Sequence, residues 1–437
     1  MNLISSQANY LKGEIICPGD KSISQRILIL GSLLNCDLTV EGFLDAYDPN
    51  STLNALNKIG ASIVKKDRKI ILSKRKTPFI HPVEDLDLGN SGTGARLMLG
   101  LLSGLGLNAK LVGDSSLSNR PMLRVVRPLQ AMGVAIETND GKLPIKTSGG
   151  KIIDCFEYRM PIASAQVKSC LILAAAASNT EIKIFEPKIT RDHTERMIEY
   201  FGGGIKYGDI KKSGEIKLNK TNLESSNSYS VAGDFSSASF IIVATLIASD
   251  SNVTIKNVGL NKTRSGLIEI LLLMGASIKI SNRKIKCNEE VGDISVSSSE
   301  LKGVIVPEAI IPNIIDEIPI LSIAAIFAEG NTVIKNASEL KVKESDRLNA
   351  ISEGLSRLKI NHKLYDDGLS IEGFDREIDT NETINSFDDH RIAMSFLVAG
   401  IKSNNGIKVK DCKNIETSFP NFINSMNNLG MSINEKN

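Results

Sequence analysis

Tryptophan is absent from the chain, and aromatic residues make up only 5% of its 437 positions. Stacking platforms for single-stranded nucleic acid are therefore poorly supplied. An excess of one charge is missing too. Lys and Arg number 52 and Asp and Glu 50, a net charge of +2, which excludes the broad basic field of a nucleic-acid coat. The six cysteines (Cys17, Cys36, Cys155, Cys170, Cys287 and Cys412) form no CxxC pair, so free thiols in a reducing compartment are expected. His81, His193, His362 and His390 are dispersed, which gives no HExxH or His/Cys cluster and no expected metal site. The longest uncharged run, Phe235–Ser249, has 15 residues with four serines, short of the roughly 18 that span a bilayer. The start, MNLISSQANYLKGEII, lacks a basic region followed by an apolar core, so no signal peptide is expected. A soluble cytoplasmic protein is the expectation. Ordinary hydrophobic content, 42%, and this length suggest about three domains or two large ones.

What is present is a repeat. A helix end, Gly, a small residue, x, Ile, then two β-like runs recur at Gly60, Gly133, Gly202 and Gly275, with a degenerate copy at Lys359 and a truncated one at Gly430. Near-constant spacing of this kind sets the fold. Each unit also holds two helices. The apolar set is Ser22–Leu34, Gly92–Leu102, Ser164–Ala177, Ser236–Ala248, Ile318–Ala328 and Asp389–Ala399. The amphipathic set is Pro49–Ile59, Pro121–Met132, Asp192–Phe201, Lys262–Met274, Glu344–Leu358 and Phe419–Leu429. Six βαβαββ units follow, three per domain. The first domain is expected over 20–234, and the second over 1–19 plus 235–437. The sixth unit lacks its final strands, and Leu11–Cys17 is expected to complete that sheet.

The starts of the apolar helices are unusually polar: GDKSISQR (19–26), GNSGTGAR (89–96), SAQVK (164–168), DEIP (316–319) and DDHR (388–391). SNRPMLR (118–124), TRDHTER (190–196) and KESDR (343–347) lie at other helix starts. A lone Ser or Asp there is an ordinary cap. Cations are different, because they oppose the helix dipole. Lys21, Arg26, Arg96, Arg120, Arg191, Lys343, Arg347 and Arg391 at such ends point to ligands with several anionic groups. Nucleotide motifs do not account for them. Asp20 breaks the Gly-Lys-Ser tail of a P-loop, and Leu97 stands where a dinucleotide fingerprint needs its third glycine.

In order and spacing, PGDKSISQR, LGNSGTGAR, NRPM, SAQVKS, TRDHTE, DEIP, KESDRL and DDHRIAMS resemble the motifs of the 5-enolpyruvylshikimate-3-phosphate synthases, from about residue 10 to the end. The resemblance implies a two-domain inside-out α/β barrel of the enolpyruvyl-transferase type, with the active site in the inter-domain cleft. It implies transfer of the enolpyruvyl group of phosphoenolpyruvate to the 5-hydroxyl of shikimate 3-phosphate, in the shikimate pathway to chorismate and aromatic amino acids. Neither cofactor nor metal is implied; the partners are the two small substrates, with no nucleic acid or membrane, and the chain is expected to act as a monomer. Lys21, Ser22, Arg26, Ser164, Ala165, Gln166, Arg191, Asp316 and Lys343 are implied contacts of shikimate 3-phosphate. Lys21, Gly92, Arg120, Gln166, Arg347 and Arg391 are implied contacts of phosphoenolpyruvate, beside Asn90 and Thr93. Asp316, Glu344 and Lys21 are the implied catalytic groups. Gly92 is the position that goes with sensitivity to glyphosate.

Three positions depart from one branch of the family: Thr417 for a lysine, Leu97 for a proline and Glu339 for an asparagine. The sister UDP-N-acetylglucosamine transferases carry a reactive cysteine before their counterpart of Arg120. Here that loop reads GDSSLSNR. A non-catalytic anion binder on the same fold would not need Asp316 and Glu344.

Overall fold

The apolar helices form where the pattern places them: Lys21–Leu33, Gly92–Leu105, Ala165–Ser178, Phe235–Ile247, Ile318–Ile326 and His390–Ala399. Phe235–Ile247 is buried at every position. A helix so enclosed cannot leave its first N–H groups to water, so its end needs a cap. Asp20, Ser91, Ser164, Asp234 and Asp389 supply side-chain caps to five of the six. The amphipathic helices are Tyr47–Lys58, Leu123–Ala131, His193–Tyr200, Gly266–Leu273, Arg347–Arg357 and Phe422–Leu429. The helix expected from Glu344 begins only at Arg347, because Asp346 accepts from the Asn349 N–H and caps it there. Lys343 and Glu344 are therefore loop residues.

These helices come from a computed structural model that describes residues 1–208, 214–220, 223–224, 226–373 and 377–436. The expected turn of the Gly202 repeat falls partly on 209–213, outside the described residues. Six four-stranded sheets accompany the helices. In the simplest, Leu86–Asp87 lies parallel to Asn108–Val112, which pairs antiparallel with Lys142–Gly150, itself antiparallel to Val134–Asn139. With its two helices this is one βαβαββ unit. The repeat glycine takes a positive φ, +95° at Gly60 and +93° at Gly275, which reverses the chain from helix into hairpin. In the degenerate copy Lys359 adopts φ +58° in its place. The Asp140-Gly141 turn also has two positive φ values, as a two-residue hairpin of this twist requires.

The chain divides into two units, Met1–Pro18 with Gly233–Lys284 and Glu290–Asn437, and Gly19–Ala232 with Ile285–Glu289. Each holds three sheets. In the 19–232 unit the Lys21–Leu33 helix follows no strand of its own unit. Ser228–Ser230 fills the place, parallel to Leu38–Glu41. In the other unit Lys12–Ile16 pairs parallel with Asn252–Gly259. This corrects one expectation: Leu11–Cys17 does not complete the sixth sheet. Leu3–Ser6 does so, between Ile407–Lys410 and Ser432–Glu435. Leu3–Ser6 alternates buried and half-buried positions, with Leu3 and Ser5 inside, as an inner strand of that sheet does.

Within the 19–232 unit the Gly92–Leu105 and Ala165–Ser178 helices touch backbone to backbone. A Cβ on Gly100 would lie 2.2 Å from the Cys170 carbonyl oxygen. Gly100→Ala is therefore expected to cost about 1–3 kcal/mol by overpacking, roughly 2–12 °C of unfolding temperature for a unit of this size. Gly204→Ala, which meets only the Asn219 side chain at 3.6 Å, should leave it unchanged. Scanning fluorimetry on both variants checks this, and equal unfolding temperatures would contradict the close approach.

Candidate active site

In the 19–232 unit the predicted residues gather at three helix starts. Lys21 opens its helix and lies 3.1 Å from Asp48 Oδ2. Gln25, one turn on, donates from Nε2 to the Asp48 carbonyl and to Ser91 Oγ, the cap of the next apolar helix. Ser22 stands beside Lys21 in that first turn. Arg26 is buried; it donates to Thr194 Oγ1, the Ser22 carbonyl and Ser169 Oγ. Burial pulls its guanidinium down to about 10, against the opposing pull of Glu195 and Asp20, and Arg191 adds to the fall. Arg26 thus ties three helices together from beneath.

Around Gly92 the contacts are closer. Arg96 donates to the Gly92 carbonyl at 3.2 Å and to Gln166 Oε1 at 2.8 Å. Gln166 Nε2 donates to Thr93 Oγ1 at 2.9 Å, so both ends of its amide are fixed. Arg120 donates to Asn90 Oδ1 and to Ser116 Oγ. A Cβ on Gly92 would stand 2.9 Å from Arg120 and 3.0 Å from Arg96 guanidinium nitrogens. The bare glycine is what allows two arginines to share this spot. Ser164 caps the Ala165–Ser178 helix, accepting from the Val167 N–H, and Ala165 is its first residue. Arg191 is half-buried in the segment before the His193–Tyr200 helix.

The other unit gathers Asp316, Lys343, Glu344, Arg347 and Arg391. Arg347 is fully buried and holds three carboxylates: Asp389 Oδ2 at 2.7 Å, Asp316 Oδ1 at 3.1 Å and Glu344 Oε2 at 2.5 Å. Burial alone would lower the pKa of Arg347, but Asp389, Glu344 and Asp316 outweigh it and drive it up. Lys343 Nζ lies 3.6 Å from Asp316. Arg391 donates to the Asp316 carbonyl at 3.0 Å and to Ser236 Oγ at 2.9 Å. Thr417 donates to the Asn414 carbonyl.

Sequence reasoning missed the partners. Asp389 was visible only as a cap, and Asp48, Ser236, Arg264 and Glu317 were not singled out. Lys168, read within SAQVKS, is 1% exposed and pairs with Glu195 at 2.8 Å and Glu186 at 3.1 Å. Burial raises the Glu186 carboxyl, and burial opposes but does not cancel the upward pull of both glutamates on Lys168. Two acids nine residues apart, one just past the Ile182–Phe185 strand and the other in the His193–Tyr200 helix, carry no linear signal of a shared lysine.

Lys168→Met is expected to cost about 3–5 kcal/mol, because it strands two buried carboxylates. Without the lysine, burial would raise the Glu186 carboxyl further. A raised folded-state pKa adds stability that is present below the unfolded value and lost as pH climbs through the folded one. The deficit should be largest at pH 8 and shrink toward pH 5. Unfolding temperatures of the variant and parent at both values test this; equal deficits would reject the buried-pair account.

Comparison with known proteins identifies the family. The family model for EPSP synthase (3-phosphoshikimate 1-carboxyvinyltransferase) matches residues 6–426. The 3-phosphoshikimate 1-carboxyvinyltransferase of Legionella pneumophila (strain Lens) is 44% identical over 100% of this chain and 99% of its own length. That of Petrotoga mobilis is 47% identical over 97% and 98%. The EPSP synthase structure from Acinetobacter baumannii superposes with a TM-score of 0.85 at 37% identity, covering 100% of both chains. The enolpyruvyl transferase NikO from Streptomyces tendae shares the fold, with a TM-score of 0.78 at 15% identity, covering 100% of this chain and 98% of its own. The six βαβαββ units are thus the two-domain enolpyruvyl-transferase fold, and the chain belongs to the EPSP synthase family.

Proposed function

We propose that the two half-sites meet on phosphoenolpyruvate and shikimate 3-phosphate together, in a cleft between a 20–234 domain that takes shikimate 3-phosphate and a second domain of 1–19 plus 235–437. The chain is an enzyme of the shikimate pathway: it transfers the enolpyruvyl group of phosphoenolpyruvate to the 5-hydroxyl of shikimate 3-phosphate and releases phosphate. The observation that carries the site assignment is the gathering of Lys21, Arg96, Arg120 and Gln166 around the starts of three helices. Each substrate brings a phosphate and a carboxylate, and such starts with guanidinium groups suit them. On this reading the chain works in the cytoplasm as a monomer, on small molecules alone, with no cofactor or metal. Phosphate release that requires both substrates, and fails when UDP-N-acetylglucosamine replaces shikimate 3-phosphate, tests it.

The reaction is an addition followed by an elimination. A proton goes to C3 of phosphoenolpyruvate while the 5-hydroxyl oxygen bonds to C2 and loses its own proton. The C2–O bond to phosphate then breaks as C3 gives up a proton and the double bond returns. Asp316 takes the hydroxyl proton. Glu344 serves C3, exchanging its proton with solvent. Lys21 bridges the two substrates, with Ser22, Arg26, Ser164, Ala165, Gln166, Arg191 and Lys343 on shikimate 3-phosphate. Gly92, Arg120, Gln166, Arg347 and Arg391 take phosphoenolpyruvate.

A single proton-transfer residue is worth roughly 10²–10⁴-fold in rate. Asp316→Asn and Glu344→Gln should each lose about that much in kcat while still binding shikimate 3-phosphate. Glu344→Gln should also suppress solvent deuterium exchange into the C3 methylene. Wild-type exchange in that variant would leave Glu344 only an ion-pair partner of Arg347.

Gly92→Ala puts a methyl 2.9 Å from Arg120, so the guanidinium must shift. The expected outcome is a raised KM for phosphoenolpyruvate and weaker inhibition by glyphosate. Inhibition curves of parent and variant decide the matter, and coincident curves would remove Gly92 from the phosphoenolpyruvate pocket.

A further inference from the structure

Below Asp316 lies a second buried cluster that the reaction as written does not use. Ser236, in the first turn of the Phe235–Ile247 helix, is 4% exposed, and Glu317 is fully buried. Ser236 Oγ accepts from Arg391 at 2.9 Å and from Arg264 at 2.5 Å. It donates to Glu317 Oε1. Arg264 also reaches Glu317 Oε1 at 3.2 Å, and Arg391 lies 3.5 Å from the same oxygen. A hydroxyl has one proton and two lone pairs. Guanidinium groups can only donate, so both lone pairs of Ser236 are taken by arginines. Its proton has one acceptor here, the Glu317 carboxylate. The Ser236 backbone N–H is spent on Asp234, which fixes the residue on its helix. Every bonding direction of the side chain is thus determined, and with it the reach of Arg391 past the Asp316 carbonyl.

We propose that Ser236 and Glu317 are positioning residues for phosphoenolpyruvate binding, acting through Arg391. Neither touches substrate. Together they hold one nitrogen of Arg391 and leave the rest of its fork to the ligand. Arg264 balances the Glu317 charge, so Glu317 does not draw Arg391 inward. The proposal rests on the reading of Arg391 as a phosphoenolpyruvate contact.

The test is a set of full-length variants, Ser236→Ala, Glu317→Gln and Arg391→Lys, the first two removing the hydrogen-bond hub or its charge with little change in volume. Loss of a hydrogen bond to a charged group should raise KM for phosphoenolpyruvate roughly 10- to 100-fold in Ser236→Ala and Glu317→Gln. In both, kcat should stay within about threefold, and calorimetric affinity for shikimate 3-phosphate should not change. A merely structural role would lower unfolding temperature and active fraction without that split. If Arg391→Lys raises KM while both hub variants match the parent, the proposal fails and the reading of Arg391 stands. If Arg391→Lys also matches the parent, the reading of Arg391 fails first and takes the proposal with it.

Discussion

Burying a helix on all sides leaves its first N–H groups with nowhere to go, and this constraint organises the molecule. Six apolar helices, each nearly wrapped in protein, must end in polar side chains held close to the backbone. Asp20, Ser91, Ser164, Asp234 and Asp389 meet that need directly. Once such an end is built, it offers positive potential and aligned donors. Cations placed beside it are costly unless something negative stands opposite. The candidate site residues stand where the fold already requires polarity, in the same short segments as the capping residues.

The repeat makes these ends equivalent in chain position, and the exchange of strands makes the two units complete. Lys12–Ile16 pairs in a sheet with Asn252–Gly259, while Ser228–Ser230 pairs with Leu38–Glu41. Along the chain each of these strands is followed by a helix of the other unit. The N-terminal Leu3–Ser6 then supplies the strand that the sixth repeat lacks. Two of the segments that pass between the units, near Gly19 and Gly233, run directly into a capped helix start.

Much of this was legible in the residues. Helix periodicity and glycine spacing locate the helices to within a few residues, because both depend on local rules. The partner of an N-terminal strand depends instead on which open sheet edge is near, and four residues such as Leu3–Ser6 carry too little pattern to choose. The helix expected from Glu344 starts three residues later because Asp346, a favoured capping residue, holds its first turn. The cations of the site were visible as violations of the dipole rule. Their acids were not, because Glu317, Asp48 and Glu186 look like ordinary helix or loop carboxylates until folding buries them.

Those hidden acids change what the eight cations mean. Read linearly, all eight ask for an external anion. In the 19–232 unit Lys21 pairs with Asp48, and Asp20 caps the helix that Lys21 opens. In the other unit Arg264, Lys343, Arg347 and Arg391 are interleaved with Asp234, Asp316, Glu317, Glu344 and Asp389. There Arg347 holds Asp389, Asp316 and Glu344 in fixed places, while Arg391 is tied through one nitrogen to Ser236 and the Asp316 carbonyl. A buried ion network of this kind adds little net stability, but it prevents acidic groups from rotating toward solvent. Equivalent repeat positions thus differ in electrostatic setting: in one unit Lys21 opens a helix capped by Asp20, and in the other Arg347 and Arg391 are interleaved with acids whose places they fix.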